Sequence, residues 1–225
     1  MARVVKAPEE RRSEFIVAAQ SLFYTKGYES TSVNDLITAV GVSKGAFYHY
    51  FDSKQAVLEA LVDDMLSDYR QLVGGLVTDP KLDAISKWNR LLEITNNWKI
   101  EQKEGLLSFT KIINMEENLT LKHKLKTKSI KLLVVDYAAI IEQGINEGVF
   151  DVESPVVVAE LVVTVLQAFS EGLTDLLLNQ EGYEQPLQCA ITKLRTTQAS
   201  VERILGAPAG SLLLIEPETL SAWFE

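Results

Sequence analysis

Apolar residues recur every three or four positions along almost the whole chain, which is the spacing of amphipathic α-helices. Glycine, proline and short polar stretches interrupt this pattern and mark where one helix ends and the next begins. Helices are predicted at about residues 9–26, 32–39, 43–50, 53–74, 82–100, 104–115, 119–148, 155–179 and 184–205. No strand alternation and no internal repeat is found, so the sequence predicts an all-α fold.

Residues 206–225 fall outside this regular pattern. Ser211–Ile215 is a short apolar run that is compatible with a strand or with a packed tail. Glu218–Phe224 predicts a last helical turn or two. The sequence assigns this C-terminal extension no role.

The second and third predicted helices are joined by a tight turn. Thr31 or Ser32 can cap the second helix, and Asp35 stands three residues after Ser32, as in a capping box. Gly41 can adopt a positive φ and reverse the chain, and Ser43 can then cap the third helix. The predicted buried stripe of the second helix is Val33, Leu36, Ile37 and Val40. Two short helices joined in this way form a helix-turn-helix.

The third predicted helix divides its side chains between two faces at about 100° per residue. The outward set is Lys44, Gly45, Tyr48 and His49, and the inward set is Ala46, Phe47 and Tyr50. A glycine inside a helix costs about 1 kcal/mol relative to alanine, so Gly45 indicates that something such as DNA approaches the backbone closely. The pattern therefore predicts a DNA-binding transcription regulator. The alternative is a surface helical hairpin whose aromatic residues cap a small core.

Five motifs follow one another between residues 10 and 61 without an obvious gap. They are Leu22-Phe23, Lys26-Gly27-Tyr28, Thr31-Ser32-Val33, the run from Val42 to Phe51, and Ser53-Lys54. In these residues the chain resembles the TetR (tetracycline repressor) family of transcription regulators. The resemblance implies a three-helix DNA-binding head over residues 1–52 and a larger helical domain over residues 53–225 for effector binding and dimerisation.

The resemblance also implies which residues touch DNA. In the family the contacts come from the start of the second helix, the recognition helix and a lysine of the following helix. The corresponding positions here are Val33, Ser43, Lys44, Gly45, Tyr48, His49 and Lys54. Val33 departs from the hydroxyl residue that is common in the family, and Ser32 beside it can supply the phosphate contact instead. Phe47 and Phe51 are expected to be buried.

The chemistry of these groups gives them different tasks. Lys44 and Lys54 carry compact charges suited to phosphates, so they raise affinity and its salt dependence more than sequence selectivity. Tyr48 can donate its hydroxyl to the sugar-phosphate backbone. Two interpretations of His49 stay open, a contact with a base edge or a solvated histidine at the end of a helix.

The charge of the chain is unevenly distributed. Its 22 basic and 31 acidic residues give a formal net charge of −9. Residues 1–54 hold seven basic and six acidic groups, a net charge of +1, so the remainder carries −10. We therefore expect a weakly positive head on an acidic body, which binds DNA in one orientation and binds nonspecific DNA only weakly at physiological salt.

The predicted helix at 155–179 is apolar on all sides except for one narrow stripe. That stripe is Glu160, Thr164, Gln167, Glu171 and Asp175. The three carboxylates argue against a membrane span, so the helix is expected to be buried on two sides within protein. Paired with the helix at 184–205, it suits a four-helix interface between two copies of the chain, as the resemblance also implies. The candidate interface residues are Leu166, Phe169, Leu173, Leu187, Ile191 and Leu194.

A two-fold dimer would present two recognition helices to the DNA about one helical turn apart. The operator is therefore expected to be roughly palindromic. The expected partners are double-stranded DNA and a second copy of the chain.

Large apolar residues between the head and this interface offer a place for an effector. The candidate pocket residues are Trp88, Leu91, Trp98, Phe109, Ile112 and Tyr137. Aromatic residues in helical bundles also form ordinary core, so both interpretations remain for each of them. By family analogy the effector is a small, largely apolar or amphipathic molecule that releases a repressor from DNA. The alternative is a regulator or DNA-organising factor whose C-terminal domain binds a protein partner.

The residue inventory disfavours an enzyme. Two distant histidines and the single Cys189 make no usual zinc site, and the sequence has no glycine-rich phosphate loop or nucleophile elbow. We therefore expect no metal and no cofactor. One cysteine excludes an intramolecular disulfide, and the N-terminus lacks an apolar secretory segment, so a cytoplasmic protein is expected.

One dense basic patch lies at residues 122–131. Its members are Lys122, His123, Lys124, Lys126, Lys128 and Lys131. Such a run is typical of a solvated helix face that balances nearby acids, here Glu116 and Glu117. An anionic effector and a second DNA contact are the alternatives.

Overall fold

The computed structural model describes residues 7–225 of the chain. Arg3 and Lys6 of the basic N-terminal lead lie outside the described residues. Within residues 7–225 the regular structure consists of ten α-helices and two short 3-10 helices, with no strand. The α-helices are α1 (Pro8–Thr25), α2 (Val33–Val40), α3 (Lys44–Tyr50), α4 (Lys54–Val77), α5 (Ala84–Glu101), α6 (Lys103–Ile113), α7 (Leu119–Asn146), α8 (Pro155–Leu178), α9 (Pro186–Leu205) and α10 (Pro217–Ala222). The 3-10 helices are Glu116–Asn118 and Gln180–Gly182.

This architecture confirms the all-α fold that the hydrophobic pattern predicts. All nine predicted helices occur, and their ends lie within three residues of the predicted ends. The apolar run Ser211–Ile215 forms no strand and packs as a tail, with Leu212 and Leu214 buried.

The chain divides into two compact units. The first runs up to Asp68 and includes Glu104–Lys122, and the second consists of Tyr69–Lys103 and His123–Glu225. The core of the first unit is centred on large side chains from α1 to α4. Its largest fully buried side chains are Phe15, Phe23, Leu36, Phe47 and Leu58.

The core of the second unit is built from the C-terminal part of α4 and from α5, α7, α8 and α9. Trp88 of α5 is fully buried and packs edge-on against Tyr137 of α7, with ring centroids 4.9 Å apart. Other members of this main cluster are Leu91, Ile140, Ile141, Val162, Val201, Leu205 and Leu212. A smaller cluster joins α8 and α9 to the C-terminal extension and contains Leu173, Leu176, Ala190, Leu194, Leu214, Ile215 and Leu220. The extension therefore contributes to both clusters.

Within residues 7–225, α8 is the one helix that is long and apolar enough to cross a membrane by length and composition. Core and interface helices of proteins in water pass the same test. Val162 and Val163 are fully buried inside the chain, whereas Val157 and Leu161 are more than half exposed. The apolar surface of α8 is thus divided between an inner face and an exposed face.

Replacing either of two helical glycines by alanine is expected to change the stability of the protein, in opposite directions. A Cβ added at Gly144 would lie 2.1 Å from Cδ2 of the buried Phe150 ring, and the Val149 and Phe150 amides both donate to the Gly144 carbonyl, at 2.9 and 3.1 Å. Gly144→Ala is therefore expected to destabilise the protein by about 1–3 kcal/mol through overpacking. A Cβ at Gly75 meets nothing within 4 Å, so Gly75→Ala is expected to stabilise α4 by about 0.5–1 kcal/mol. Urea unfolding followed by circular dichroism measures both, and equal effects of the two changes would contradict this account.

Candidate DNA-binding interface

Local hydrogen bonds cap the starts of α2 and α3, and a glycine turn joins the two helices. The Ser32 hydroxyl accepts a bond from the Asp35 amide at 3.2 Å, while the Asp35 carboxylate accepts one from the Ser32 amide at 2.7 Å. α2 ends at Gly41, whose φ of 70° is open to glycine at little cost. Ser43 then caps α3 by accepting from the Ala46 amide at 3.2 Å. The predicted capping box and glycine turn are thus both present.

The start of α2 is also tied to the end of α1. The Lys26 ammonium lies 2.8 Å from the Asp35 carboxylate. Lys26, together with the bonds from Ser32, holds the pKa of Asp35 well below its usual range. Thr31 is buried and donates its hydroxyl to the Gly27 carbonyl at 2.7 Å, so it fixes the α1–α2 turn while Ser32 provides the cap.

Buried aromatic rings hold α3 by its inner face. Phe47 is fully buried, and its ring meets Phe15 of α1 edge-on with centroids 5.3 Å apart. Phe51, directly after α3, packs edge-on against Phe15 at 5.9 Å. Such pairs add stabilisation beyond the apolar area that they bury. The expectation that Phe47 and Phe51 are core residues is confirmed, and their packing fixes which face of α3 points outward.

The outward face of α3 carries the residues that were expected to reach DNA. Lys44, Gly45, Tyr48 and His49 are all exposed, and Tyr48 is 48% exposed. The Tyr48 ring packs edge-on against Phe47 with centroids 5.3 Å apart, and the Lys44 ammonium lies 6.0 Å from the Tyr48 centroid. Tyr48 is therefore anchored at its base and available at its hydroxyl, and it stands beside a positive charge.

Gly45 faces open space. A Cβ added there would have one neighbour, the Ser43 hydroxyl oxygen at 4.0 Å, and the backbone needs no positive φ. Packing within the chain therefore gives no reason for glycine at this position, in contrast to Gly41.

Lys54 has a structural partner that the sequence did not reveal. Its ammonium donates to the Tyr28 carbonyl at 2.7 Å and lies 4.1 Å from the centroid of the Tyr28 ring. Burial, followed by the nearby carboxylates of Glu29 and Glu117, raises the pKa of Tyr28 to about 12. Lys54 thus links the start of α4 to the turn after α1. An ammonium has three N–H donors, so two more remain for other acceptors.

The other predicted contacts lie at the two helix starts. Ser32 and Ser43 are exposed, and Val33 is half-buried at the first position of α2. Both serine hydroxyls accept amide bonds as caps. A phosphate at either position would also meet the positive end of a helix.

The six candidate pocket residues fall into two groups. In the first unit, Phe109 and Ile112 of α6 are buried. In the second unit, Trp98 is half-buried, whereas Trp88, Leu91 and Tyr137 share the main core cluster. None of the six lines the cleft of about 70 Å³ that lies between α5 and the C-terminal extension.

The six candidate interface residues differ in exposure. Leu173 and Leu194 are buried in the smaller cluster with the C-terminal extension. Those that are half-buried are Leu166, Phe169, Leu187 and Ile191. The sequence reasoning missed the most exposed apolar residues of α8, which are Val156, Val157 and Leu161. Val157 and Leu161 stand four residues apart and therefore share one face of the helix, next to Glu160 of the polar stripe, so a helical wheel could have found them.

Two lysines of the basic patch have side-chain partners on other helices or turns. The Lys126 ammonium lies 2.8 Å from the Glu171 carboxylate of α8, and Lys122 donates to the Asn114 side-chain oxygen at 2.7 Å. These contacts fit a solvated helix face whose charges are balanced locally.

Two family models match the chain, and together they cover more than half of it. The model described as "Bacterial regulatory proteins, tetR family" matches residues 15–61. The model described as "Tetracyclin repressor-like, C-terminal domain" matches residues 105–178. The first match contains α2, the turn and α3.

Characterised regulators show the same relationship. The transcriptional repressor KstR2 of Rhodococcus jostii is 28% identical over 150 residues, which are 62% of this chain and 68% of KstR2. The transcriptional regulator TtgR of Pseudomonas putida is 28% identical over 90 residues, which are 40% of this chain and 43% of TtgR. The chain thus spans about two thirds of KstR2 and less than half of TtgR.

Solved structures extend the likeness in fold to nearly the whole chain. A TetR-family regulator from Pectobacterium atrosepticum gives a TM-score of 0.65 at 18% identity, covering 90% of this chain and 100% of that one. SmeT, a repressor from Stenotrophomonas maltophilia, gives 0.63 at 16% identity, covering 92% of this chain and 96% of SmeT. The capped helix-turn-helix, the two family matches and this common fold agree: the chain belongs to the TetR family of transcriptional regulators and is a DNA-binding transcription regulator.

Proposed function

We propose that the protein is a dimeric repressor that binds a palindromic operator through α3 and is released by a small effector. The observation that carries this proposal is the outer face of α3, which exposes Lys44, Gly45, Tyr48 and His49 on a helix anchored by buried Phe47. The protein acts in the cytoplasm, where bacterial DNA lies.

The residues of the head divide the work on DNA by their chemistry. Lys44 contacts a phosphate, and Tyr48 beside it donates its hydroxyl to the backbone wall of the groove. His49 reads a base edge. Phosphates bind at the starts of α2 and α3, next to Ser32, Val33 and Ser43. Lys54 binds a further phosphate while it keeps its hydrogen bond to the Tyr28 carbonyl.

A second copy of the chain covers the exposed apolar face of α8. Val156, Val157 and Leu161 are each more than half exposed. A single exposed apolar residue is ordinary, but three within two turns of one helix form an apolar patch. Phe169, a half-buried member of the predicted interface, lies about two turns further along the same helix. A two-fold interface then sets the spacing of the two recognition helices and makes the operator palindromic.

Leu161→Glu is expected to raise the dimer dissociation constant by at least about tenfold, because it places a charge within the apolar contact of each protomer. Sedimentation velocity measures the dimer, and fluorescence anisotropy with DNA from the upstream region of the gene measures operator binding, which should fall in parallel.

The matched control is Leu119→Glu at the start of α7. Leu119 is 51% exposed, close to the 55% of Leu161, and lies outside α8. The control should leave the dimer and the operator affinity unchanged. A Leu161→Glu protein that stays dimeric at the same concentration would refute the proposed interface.

Repression and release are proposed from the relatives and from the core of the second unit. KstR2 and SmeT are both repressors by name. Trp88, Leu91 and Tyr137 gather apolar surface of the kind that lines effector pockets. An effector that binds the DNA-incompetent state more tightly would shift the population away from the operator-bound state.

A second candidate function is a regulator whose C-terminal domain binds a protein partner. It is favoured by one observation: Trp88, Leu91 and Tyr137 are buried within the core cluster and line no described cleft. The cleft between α5 and the C-terminal extension measures about 70 Å³, while small-molecule pockets span roughly 300–1,000 Å³. A thermal-shift screen of apolar and amphipathic compounds, with each hit tested for release of DNA, separates the two functions.

A further inference from the structure

The segment Ser211–Ile215, called the strap here, lies between α5 and α9, with hydrogen bonds to side chains of both helices. It follows α9 after a connection that contains Gly206 and Gly210, which have positive φ angles of 62° and 78°. After the strap the chain continues into α10, where the Lys103 ammonium holds the Ala222 carbonyl at 2.8 Å.

Side chains of α5 hold the backbone of the strap. The Asn89 amide bonds it twice, donating to the Ser211 carbonyl at 3.0 Å and accepting from the Leu213 amide at 2.8 Å. Asn96 is buried and donates to the Leu214 carbonyl at 2.7 Å. Asn89 and Asn96 are seven residues apart on one face of α5, so both face the strap, about two helical turns apart.

Two further side chains complete this recognition. The indole N–H of the fully buried Trp88 donates to the Leu213 carbonyl at 3.3 Å. On the opposite side, the buried carboxylate of Glu202 in α9 accepts from the Leu212 amide at 3.2 Å. All of these bonds recognise backbone groups and are therefore independent of the side chains of the strap.

The side chains of the strap alternate between core and surface. Leu212 and Leu214 are buried, whereas Leu213 between them is 37% exposed. Leu212 lies in the same cluster as Trp88 and Tyr137, both candidate pocket residues. The strap thus fills space beside the residues that were expected to receive an effector.

The strap has one polar group without a hydrogen-bond partner, and it borders a cleft. The Ser211 hydroxyl is buried without a hydrogen-bond partner among the described residues, which is an uncompensated loss of hydration. Beside the strap lies the cleft of about 70 Å³, lined by Asn89, Leu92 and Asn96 of α5 and by Leu213 and Leu214. The cleft leaves one edge of the strap accessible, at Leu213 and Leu214.

We propose that the strap is an internal occupant of the effector site and that the effector is a neutral, elongated apolar molecule carrying amide groups. This inference rests on the proposed function, because it gives the chemistry of the effector that the regulator senses. The effector replaces Leu212 and Leu214 with its hydrocarbon chain and replaces the carbonyl groups of the strap with its own.

The polar groups of the site select this class of ligand. Trp88, Asn89 and Asn96 present three N–H donors that must find acceptors once the strap leaves, because buried donors without partners are costly. A hydrocarbon leaves all three unsatisfied. Glu202 and the Asn89 oxygen require N–H donors, and the buried carboxylate of Glu202 repels an anion. A neutral amide meets both demands, whereas a fatty acid does not.

The test weakens the strap and leaves its groove intact. The double variant Leu212→Ala with Leu214→Ala removes the two buried side chains, and Leu213→Ala is the matched control at the exposed position between them. Isothermal titration calorimetry with N-dodecanoylglycinamide is expected to show binding about tenfold tighter to the double variant than to the parent, because the competing occupant is weakened. The control should bind like the parent, and dodecanoate should bind more weakly than the amide in every case.

Hydrogen exchange of the parent protein keeps the proposal testable if the double variant does not fold. The Leu212 and Leu213 amides should exchange faster than amides in the middle of α5 and α9, and the amide ligand should accelerate them further. Exchange of the strap only together with both helices, or unchanged ligand affinity in a folded double variant, would overturn the proposal. Operator binding is measured on the same parent sample, so failure of DNA binding is distinguished from failure of the strap.

Discussion

Replacing both Lys44 and Tyr48 by alanine is expected to weaken operator binding by about a hundredfold, because each protomer loses one phosphate charge and one backbone donor. Both side chains are exposed, so the melting temperature should barely change. The double variant should also change how strongly operator affinity depends on salt. The slope of the logarithm of affinity against the logarithm of salt concentration should fall by about two for the dimer, one for each lost lysine.

Fluorescence anisotropy over a series of salt concentrations measures both quantities. The matched control for the charge is Lys81→Ala, which removes a lysine from an exposed position outside the head. This control changes the net charge equally, so it separates a local contact from the general field of the protein. Equal affinities of the Lys44 and Tyr48 double variant and the parent would exclude α3 as the reading helix.

The head was predictable because its decisive interactions are local. Ser32 bonds to Asp35 three residues later, Ser43 bonds to Ala46, and Gly41 meets a backbone requirement of its own. Capping side chains and left-handed glycines of this kind recur wherever one helix ends and another begins. Helical periodicity then placed Phe47 inside without knowledge of its partner.

The remaining features depend on contacts between residues far apart in the sequence. Lys54 meets the Tyr28 carbonyl, and Asn89 meets Leu213 from more than a hundred residues away. Hydrophobic periodicity identifies which face of a helix is buried, but it does not name the segment that covers it. The apolar character of Leu212 and Leu214 was visible, whereas their place beside Trp88 was not.

The same limit applies to the candidate pocket and the candidate interface. The six candidate pocket residues were grouped by their apolar character on successive helices, and their assignment to one pocket stays a prediction. On α8 the predicted interface residues were Leu166, Phe169 and Leu173; Leu173 is buried within the chain, whereas Leu161, which was not named, is exposed. Size and hydrophobicity rank residues for burial and do not distinguish burial within a chain from burial between chains.

Gly45→Ala is expected to affect stability and DNA binding in opposite directions. In the free protein the added methyl group meets open space, so the change should stabilise α3 by about 0.5–1 kcal/mol. On the operator, however, the methyl group would occupy the space between the helix backbone and the DNA in both protomers. Affinity should therefore fall by more than about tenfold, since a clash in each half-site is worth more than one factor of ten.

The contrast with Gly41 makes this interpretation specific. Gly41 has a φ of 70°, so Gly41→Ala should lower the stability by about 1–2 kcal/mol through backbone strain. Chemical unfolding and operator titration of both variants give four measurements. Replacing a glycine that only the fold needs lowers the stability of the protein. Replacing a glycine that DNA binding needs lowers operator affinity while the stability of the protein rises. If Gly45→Ala bound the operator as tightly as the parent, the backbone of α3 would not approach DNA at that position, and the orientation proposed for the recognition helix would be wrong.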